Sequence, residues 1–245
     1  MDKDLLGVED VAALMGVGKA TIWRWCREGN LPCVKVGKHW RVRREALEDF
    51  LRRNERPATL VAQLRSFLQV PDNVLAIAQN VDILHRLDAA FFRVGEAQDG
   101  LLAKFYAGEE HSEDELRTQF EKNGLQVGRL EREGRFLMRP EEDPLGERGD
   151  ELGRLIEEKA GEGRTVWASF DWAMQVDLDR ALEQQERLTE LVDTRLLVVK
   201  TAALEEVIDE WSAAALRQAQ SFHSGTIFAS ETGLSLSRAM PMPPS

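Results

Sequence analysis

The chain is poor in the residues that most often announce chemistry, with only two cysteines and four histidines in 245 positions. Cys26 and Cys33 have no histidines at metal-ligand spacing, so neither a zinc site nor a disulfide framework is expected, and both read as small core-filling residues. His85, His111 and His223 are widely separated, and an isolated imidazole has no catalytic meaning without partners. Long apolar runs are absent too: nothing approaches the roughly 18 residues needed to span a bilayer. The opening MDKDLLGVED carries acids where a secretory leader carries bases. A soluble, cytoplasmic protein without a membrane partner is expected, and no catalytic residue, metal or cofactor is assigned.

A positive balance is also lacking, since the net charge is −11. Its distribution matters more than its sum. Residues 1–56 hold 12 Lys and Arg against 9 Asp and Glu, leaving a balance of −14 for the remainder. Within residues 17–44 eight bases (Lys19, Arg24, Arg27, Lys35, Lys38, Arg41, Arg43, Arg44) face one acid, Glu28. A focused basic patch on an acidic chain is the electrostatic footprint of a nucleic-acid-binding module.

The pattern beneath that patch is helical and then strand-like. Val8, Val11, Ala12 and Met15 fall at helical spacing, Gly16 offers a turn, and a second helix can begin near Gly18 or Lys19. In it Ile22, Trp25 and Cys26 form the inward stripe, leaving Lys19, Ala20, Thr21, Trp23, Arg24 and Arg27 outside. Gly29-Asn30-Leu31-Pro32 stops the helix, and CVKVGKHWRV reads as a hairpin turning at Gly37-Lys38. Val34, Val36, Trp40 and Val42 are expected to pack this hairpin on the helices, with Lys35, Lys38, His39 and Arg41 free. Glu45 to Arg53 closes the unit as a helix with Leu47, Phe50 and Leu51 inward.

GVGKATIWRWCREGNLPCVKVGKHWRV resembles the winged helix–turn–helix of the MerR and excisionase-like superfamily. The resemblance implies double-stranded DNA as partner, with Lys19–Arg27 in the major groove and the wing along the backbone or minor groove. Arg24 would read a guanine edge, because its fork matches O6 and N7. Lys19, Thr21, Lys35, Lys38 and Arg41 would hold phosphates, Trp23 would pack on a sugar or phosphate edge, and Arg27 and His39 complete the candidate set. Trp25 and Trp40 read as core. MerR regulators continue into a long coiled-coil dimer arm, whereas this chain passes through Asn54-Glu55-Arg56-Pro57 into a short apolar-striped connector, residues 57–71. That departure favours the excisionase-like branch.

After Pro71 strand-like and helical stretches alternate, from NVLAIAQN and VDILHRLDAAFFRVG to LEEVIDEWSAAALRQAQ and a last strand, GTIFAS. Such alternation predicts a mainly parallel sheet covered on both faces. The tail LSLSRAMPMPPS, with residues 236–245 outside the domain, is expected to be mobile. Residues 72–235 resemble the MEDS domain of DcmR-like regulators through FFRVGEAQDG, DELRTQFEKNGLQVGRLEREGRF and Phe170-Asp171-Trp172-Ala173. The resemblance implies an α/β sensory domain with a RecA-like core. A phosphate-binding loop would need a Gly-rich turn ending in Lys-Ser or Lys-Thr, but Gln79-Asn80-Val81-Asp82 follows the first strand, so ATP hydrolysis by that route is not expected. Asp171, Trp172, Asp177 and Asp179 lie where α/β sheets place ligands, yet they read as an exposed acidic loop and helix cap. Trp167, Phe170, Trp172 and Trp211 read as core aromatics.

The fold class is therefore α/β, an N-terminal winged helix–turn–helix over residues 1–56 followed by a RecA-like, mainly parallel sensory domain. The expected function is that of a bacterial, DNA-binding transcriptional regulator, not an enzyme, and a homo-oligomer. Its second domain would take a small-molecule ligand or a protein partner. An excisionase-type recombination accessory, an interaction scaffold, and an enzyme delivered by a DNA-binding adaptor are the competing readings.

Overall fold

Apolar spacing shapes the first fifty residues. Val8, Val11 and Ala12 turn one face of a short helix inward, while Ile22 and Cys26 do the same for the next. The computed structural model describes residues 5–54, 59–107, 112–141, 148–159, 163–172 and 178–238. It divides into two units, Met1–Pro57 and Ala58–Ser245.

In the first unit β1 (Leu5–Gly7) leads into α1 (Val8–Met15) and α2 (Lys19–Glu28). A hairpin of β2 (Cys33–Val36) and β3 (His39–Arg43) follows, and α3 (Arg44–Asn54) closes the unit. The strands form an antiparallel sheet in the order β1-β3-β2. Gly37 has φ 63°, a left-handed conformation that glycine adopts without a Cβ penalty, and this permits the tight hairpin turn. Leu6, Val11, Ile22, Leu31, Val42, Leu47 and Phe50 make the core, and the Trp25 and Phe50 rings stand 5.3 Å apart.

Three expectations are corrected here, and one strand that the sequence pattern did not assign is added. Residues 5–7 form a strand, because Leu5↔Arg43, Leu6↔Val42 and Gly7↔Arg41 pair with β3. Val34 and Val36 are 43% and 54% exposed instead of packed. The pairings Val34↔Arg41 and Val36↔His39 place them on the outer face, and Cys33↔Val42 takes the inner one. Leu51 is 46% exposed, since Leu47 and Phe50 already fill the inward stripe of α3. Cys26 and Cys33 are joined as a disulfide, with Cα atoms 5.3 Å apart, because the turn after α2 brings the start of β2 beside its last turn.

The second unit runs α4 (Leu60–Phe67), β4 (Asp72–Ala78), α5 (Val81–Ala97), β5 (Leu101–Tyr106), α6 (Glu113–Lys122), α7 (Val127–Arg132) and β6 (Phe136–Pro140). It continues with α8 (Arg148–Lys159), β7 (Val166–Asp171), α9 (Leu178–Thr194), β8 (Leu197–Leu204), α10 (Glu205–Asp209), α11 (Ala213–Ser221), β9 (Gly225–Ser230) and β10 (Gly233–Arg238). The sheet order is β10-β9-β4-β8-β7-β5-β6, parallel throughout except for the β9–β10 hairpin. This is the mainly parallel α/β arrangement expected. The central strands are buried on both faces, as sheets covered by helices require. One face packs on α5 through Val74, Ala76, Leu102, Trp167, Val198 and Ala202. On the other, Leu101, Phe105, Phe170, Leu188 and Val199 form a separate cluster.

Several boundaries differ from the sequence reading. Residues 236–238 belong to β10, not to a tail, because Leu236↔Ile227 and Arg238↔Gly225 continue the ladder; residues 239–245 lie outside the described residues. The connector carries α4, whose Leu64 joins the core of the second unit. The single helix expected over LEEVIDEWSAAALRQAQ is two, because the Ser212 side chain accepts a hydrogen bond from Ala215 N–H and starts α11 afresh. Among the described residues no helix is long and apolar enough to cross a membrane.

Gly95 marks a close approach of α5 to the sheet. A Cβ there would stand 2.6 Å from Trp167 Cγ and 2.7 Å from Leu102 Cδ2, both side chains being buried. Gly95→Ala is expected to cost about 1–3 kcal/mol through overpacking. Thermal unfolding of the variant checks this, and an unchanged midpoint would show that the Trp167 ring can yield.

Candidate nucleic-acid interface

The outward face of α2 and the inner edge of the wing form the two sides of a groove of about 1090 Å³. Its lining includes Lys19, Trp23, Arg24 and Arg27 from α2 and Lys35, Lys38, His39 and Arg41 from the hairpin. Eight of the nine residues expected from the sequence are thus brought together. Thr21 is the exception, half-buried and not part of the lining. The residues are mostly exposed, Trp23 by 57%, as surface contacts to a large polyanion require. Lys35 Nζ lies 5.8 Å from the centroid of the Trp40 ring, which props the lysine at the groove edge. Arg41 is half-buried and donates from Nη1 to the Trp40 carbonyl at 3.2 Å. Trp25 and Trp40 pack against the core, as expected.

Two carboxylates that sequence reasoning did not single out also line the groove. Asp10 accepts from Gly7 N–H at 3.0 Å and fixes the start of α1. Glu9 accepts from Lys19 Nζ at 2.5 Å, and that hydrogen bond and charge hold its carboxyl below the ordinary range. Their position N-terminal to the basic run hid them; β1 brings them onto the wing.

The second unit holds a different constellation. Lys104 on β5 and Lys200 on β8 are fully buried, as are Asp88 on α5 and Ser169 on β7. Lys104 Nζ donates to Asp88 Oδ2 at 2.9 Å and to Asp171, while Lys200 Nζ stands 2.6 Å from Asp88 Oδ1 and Ser169 donates to the same oxygen at 2.8 Å. Burial pushes the Asp88 carboxyl up, but the two ammonium groups outweigh it and hold it well below the usual range. Burial likewise disfavours the Lys104 ammonium, and Asp171 and Asp88 overturn that, raising it. Asp171 is therefore not part of an exposed acidic loop. The inward parity of β7 turns it toward Lys104, with its side chain 20% exposed. Asp177 and His111 lie outside the described residues, and Asp179 sits in the first turn of α9.

Beside this cluster Arg148 pairs with Glu141, Nε to Oε1 at 2.6 Å, and donates to the Asp171 carbonyl. Burial lifts the Glu141 carboxyl above its usual range, beyond what Arg148 offsets. Trp167, Phe170 and Trp172 are buried in three different core clusters, Trp211 packing with Trp172, so the four do not line one pocket. Asn80 caps α5 by accepting from Ile83 N–H at 2.9 Å, occupying the turn after β4 with a side-chain cap.

The family description "Helix-turn-helix domain" matches residues 5–55. Proteins from two strains of Mycobacterium tuberculosis, named provisionally as DNA-binding, are 49% identical to the chain over 47 residues. The match covers 19% of this chain and 60% of each relative. Among solved structures, a KaiC-like protein of Pyrococcus horikoshii OT3 aligns with TM-score 0.46 and 12% identity, over 66% of this chain and 72% of that one. An ATPase domain aligns with TM-score 0.44 and 9% identity, over 64% and 69%. The expectation that the chain is not an enzyme is corrected by this finding, since an ATPase domain is among the structures similar to it. The first unit is a helix–turn–helix domain of a kind found in DNA-binding proteins.

Proposed function

We infer that the chain is a transcriptional regulator that binds double-stranded DNA site-specifically through α2 and the wing, while its α/β unit senses a signal or joins partner chains. The observation that carries this reading is the groove in which Lys19, Arg24, Arg27, Lys35, Lys38 and Arg41 converge from two elements. Its geometry supports α2 in the major groove and the Gly37-Lys38 turn against the flanking backbone. Arg24, mid-helix and exposed, suits a guanine edge; Lys38 at the hairpin turn suits a phosphate. One module of this size buries little surface, so binding by paired copies on repeated sites is part of the proposal. The resemblance to the MEDS domain supports the sensory role of the α/β unit.

Binding of full-length protein to duplexes selected from random sequence, followed across salt concentrations, tests the reading. Arg24→Ala should cost about 1–3 kcal/mol on the selected site and relax preference at one position. Lys38→Ala should weaken selected and unselected duplexes alike and flatten the salt slope by about 1. A wild-type affinity insensitive to salt, or variants indistinguishable from it, would sink the proposal. Nucleoside triphosphate turnover, measured on the same samples, addresses the α/β unit independently.

A further inference from the structure

The disulfide joins the two walls of the groove at their base. Cys26 stands in the last turn of α2, next to Arg27, and Cys33 opens β2, which leads to Lys35 and the Lys38 turn. Among the described residues β2 is an edge strand, paired with β3 alone. Of its four residues only Cys33 is even half-buried; Val34, Lys35 and Val36 are exposed. The strand therefore buries almost nothing against the helices, and besides the four-residue main-chain link 29–32 the Cys26–Cys33 bond ties it covalently to α2. The neighbouring fold does not depend on it. Leu31 is fully buried and its N–H donates to the Trp25 carbonyl at 3.2 Å, while Val42 anchors β3 in the core.

We propose that this disulfide is a redox switch on the groove: oxidised, it fixes β2 and the Gly37-Lys38 turn against α2; reduced, it frees them, while β3 stays anchored, and weakens DNA binding. The proposal rests on the DNA-binding reading. A cellular dithiol is the reductant. Its thiolate attacks the more accessible Cys33 sulfur, the Cys26 sulfur leaves as a thiolate and takes a proton, and the second thiol of the reductant resolves the mixed disulfide. Cys26 and Cys33 end as thiols and the reductant as a disulfide. With the tie cut, the walls carrying Arg24 and Arg27 on one side and Lys35 and Lys38 on the other are no longer held at one spacing, and preorganisation toward the duplex is lost.

Full-length protein is compared after oxidation with glutathione disulfide, after reduction with dithiothreitol, and as Cys33→Ala, which cannot form the bond. Two measurements are made. Hydrogen exchange of amides 33–38 reads β2 and the wing turn without DNA, and binding to a mixed-sequence 40-base-pair duplex at fixed salt reads the groove. These amides should exchange about tenfold faster in the reduced protein, its affinity should fall about tenfold, and Cys33→Ala should match it whatever the redox conditions. Two titratable thiols after oxidation, or equal exchange in all samples, would overturn the switch. Unequal exchange with equal affinity overturns its control of DNA binding while leaving the DNA reading standing. Retention of no duplex by any sample overturns the DNA reading itself, and the switch with it.

Discussion

Asp88→Ala is expected to destabilise the α/β unit by about 3–5 kcal/mol, the usual consequence of removing one partner from a buried ionic cluster. Asp88 is fully buried and serves Lys104 and Lys200 at once. Asp171, the other carboxylate, engages Lys104 closely and stands 3.9 Å from Lys200. Without Asp88, two buried ammonium groups share the single carboxylate of Asp171, close to Lys104 and distant from Lys200, and the loss is uncompensated desolvation. The double variant Asp88→Ala, Lys200→Met separates this account from simple cavity formation. It leaves Lys104 and Asp171 as a neutral pair, so it should recover part of the stability lost in the single variant, although a second side chain has been cut. Urea unfolding of the four corners of this cycle gives the answer. A double variant no more stable than Asp88→Ala would mean that the cost comes from lost packing.

Those lysines also show where sequence reasoning reached and where it stopped. Alternating elements made the parallel sheet legible, because each strand and helix carries its own periodicity. The helix–turn–helix was legible for the same reason, with its turn fixed by Gly16 and its stop by Gly29. Register was not. Val34 and Val36 look like inward residues in CVKVGKHWRV, but pairing to β3 is decided by Val42 and Cys33, which lie at the core end of the hairpin. β1 is three residues long and exists only because β3 offers an open edge. The disulfide depended on a turn whose path no local pattern gives. The buried cluster did leave a signal. Lys104 interrupts LLAKFY and Lys200 interrupts LLVVKTAAL, and a lysine inside a strand buried on both faces needs a carboxylate partner. Naming Asp88 as that partner required the packing of α5 on the sheet. The basic groove was the most legible part, since charges chosen to meet a partner in solvent need only be outward, and outward is what helical spacing predicts.

His223 should make the stability of the α/β unit fall with acid by about 3 kcal/mol between roughly pH 6.5 and pH 4. Burial pushes its imidazole down to about 4, only partly offset by the Ala219 carbonyl, 2.6 Å from Nδ1. The ring packs edge-on to Trp172, centroids 6.5 Å apart, and among the described residues Nε2 has no hydrogen-bond partner. A neutral imidazole suits this site and a charged one does not. In the unfolded chain it takes up a proton near pH 6.5, in the folded chain only near 4, so between those values the unfolded state binds more protons and stability drops as pH falls. Below about 4 both states are protonated and this contribution levels off. Glu141 has the opposite sign, because a carboxyl raised by burial favours the folded state at acid pH and loses that advantage as pH rises. The bare wild-type curve therefore mixes the two, and the diagnostic quantity is its difference from His223→Phe, which keeps the ring volume and removes the titration. That difference should change by about 3 kcal/mol across the window in denaturant unfolding at pH 7, 5.5 and 4. Parallel curves for the two proteins would show that the imidazole reaches water or a partner when it charges, and that the packing around Trp172 opens more easily than its burial implies.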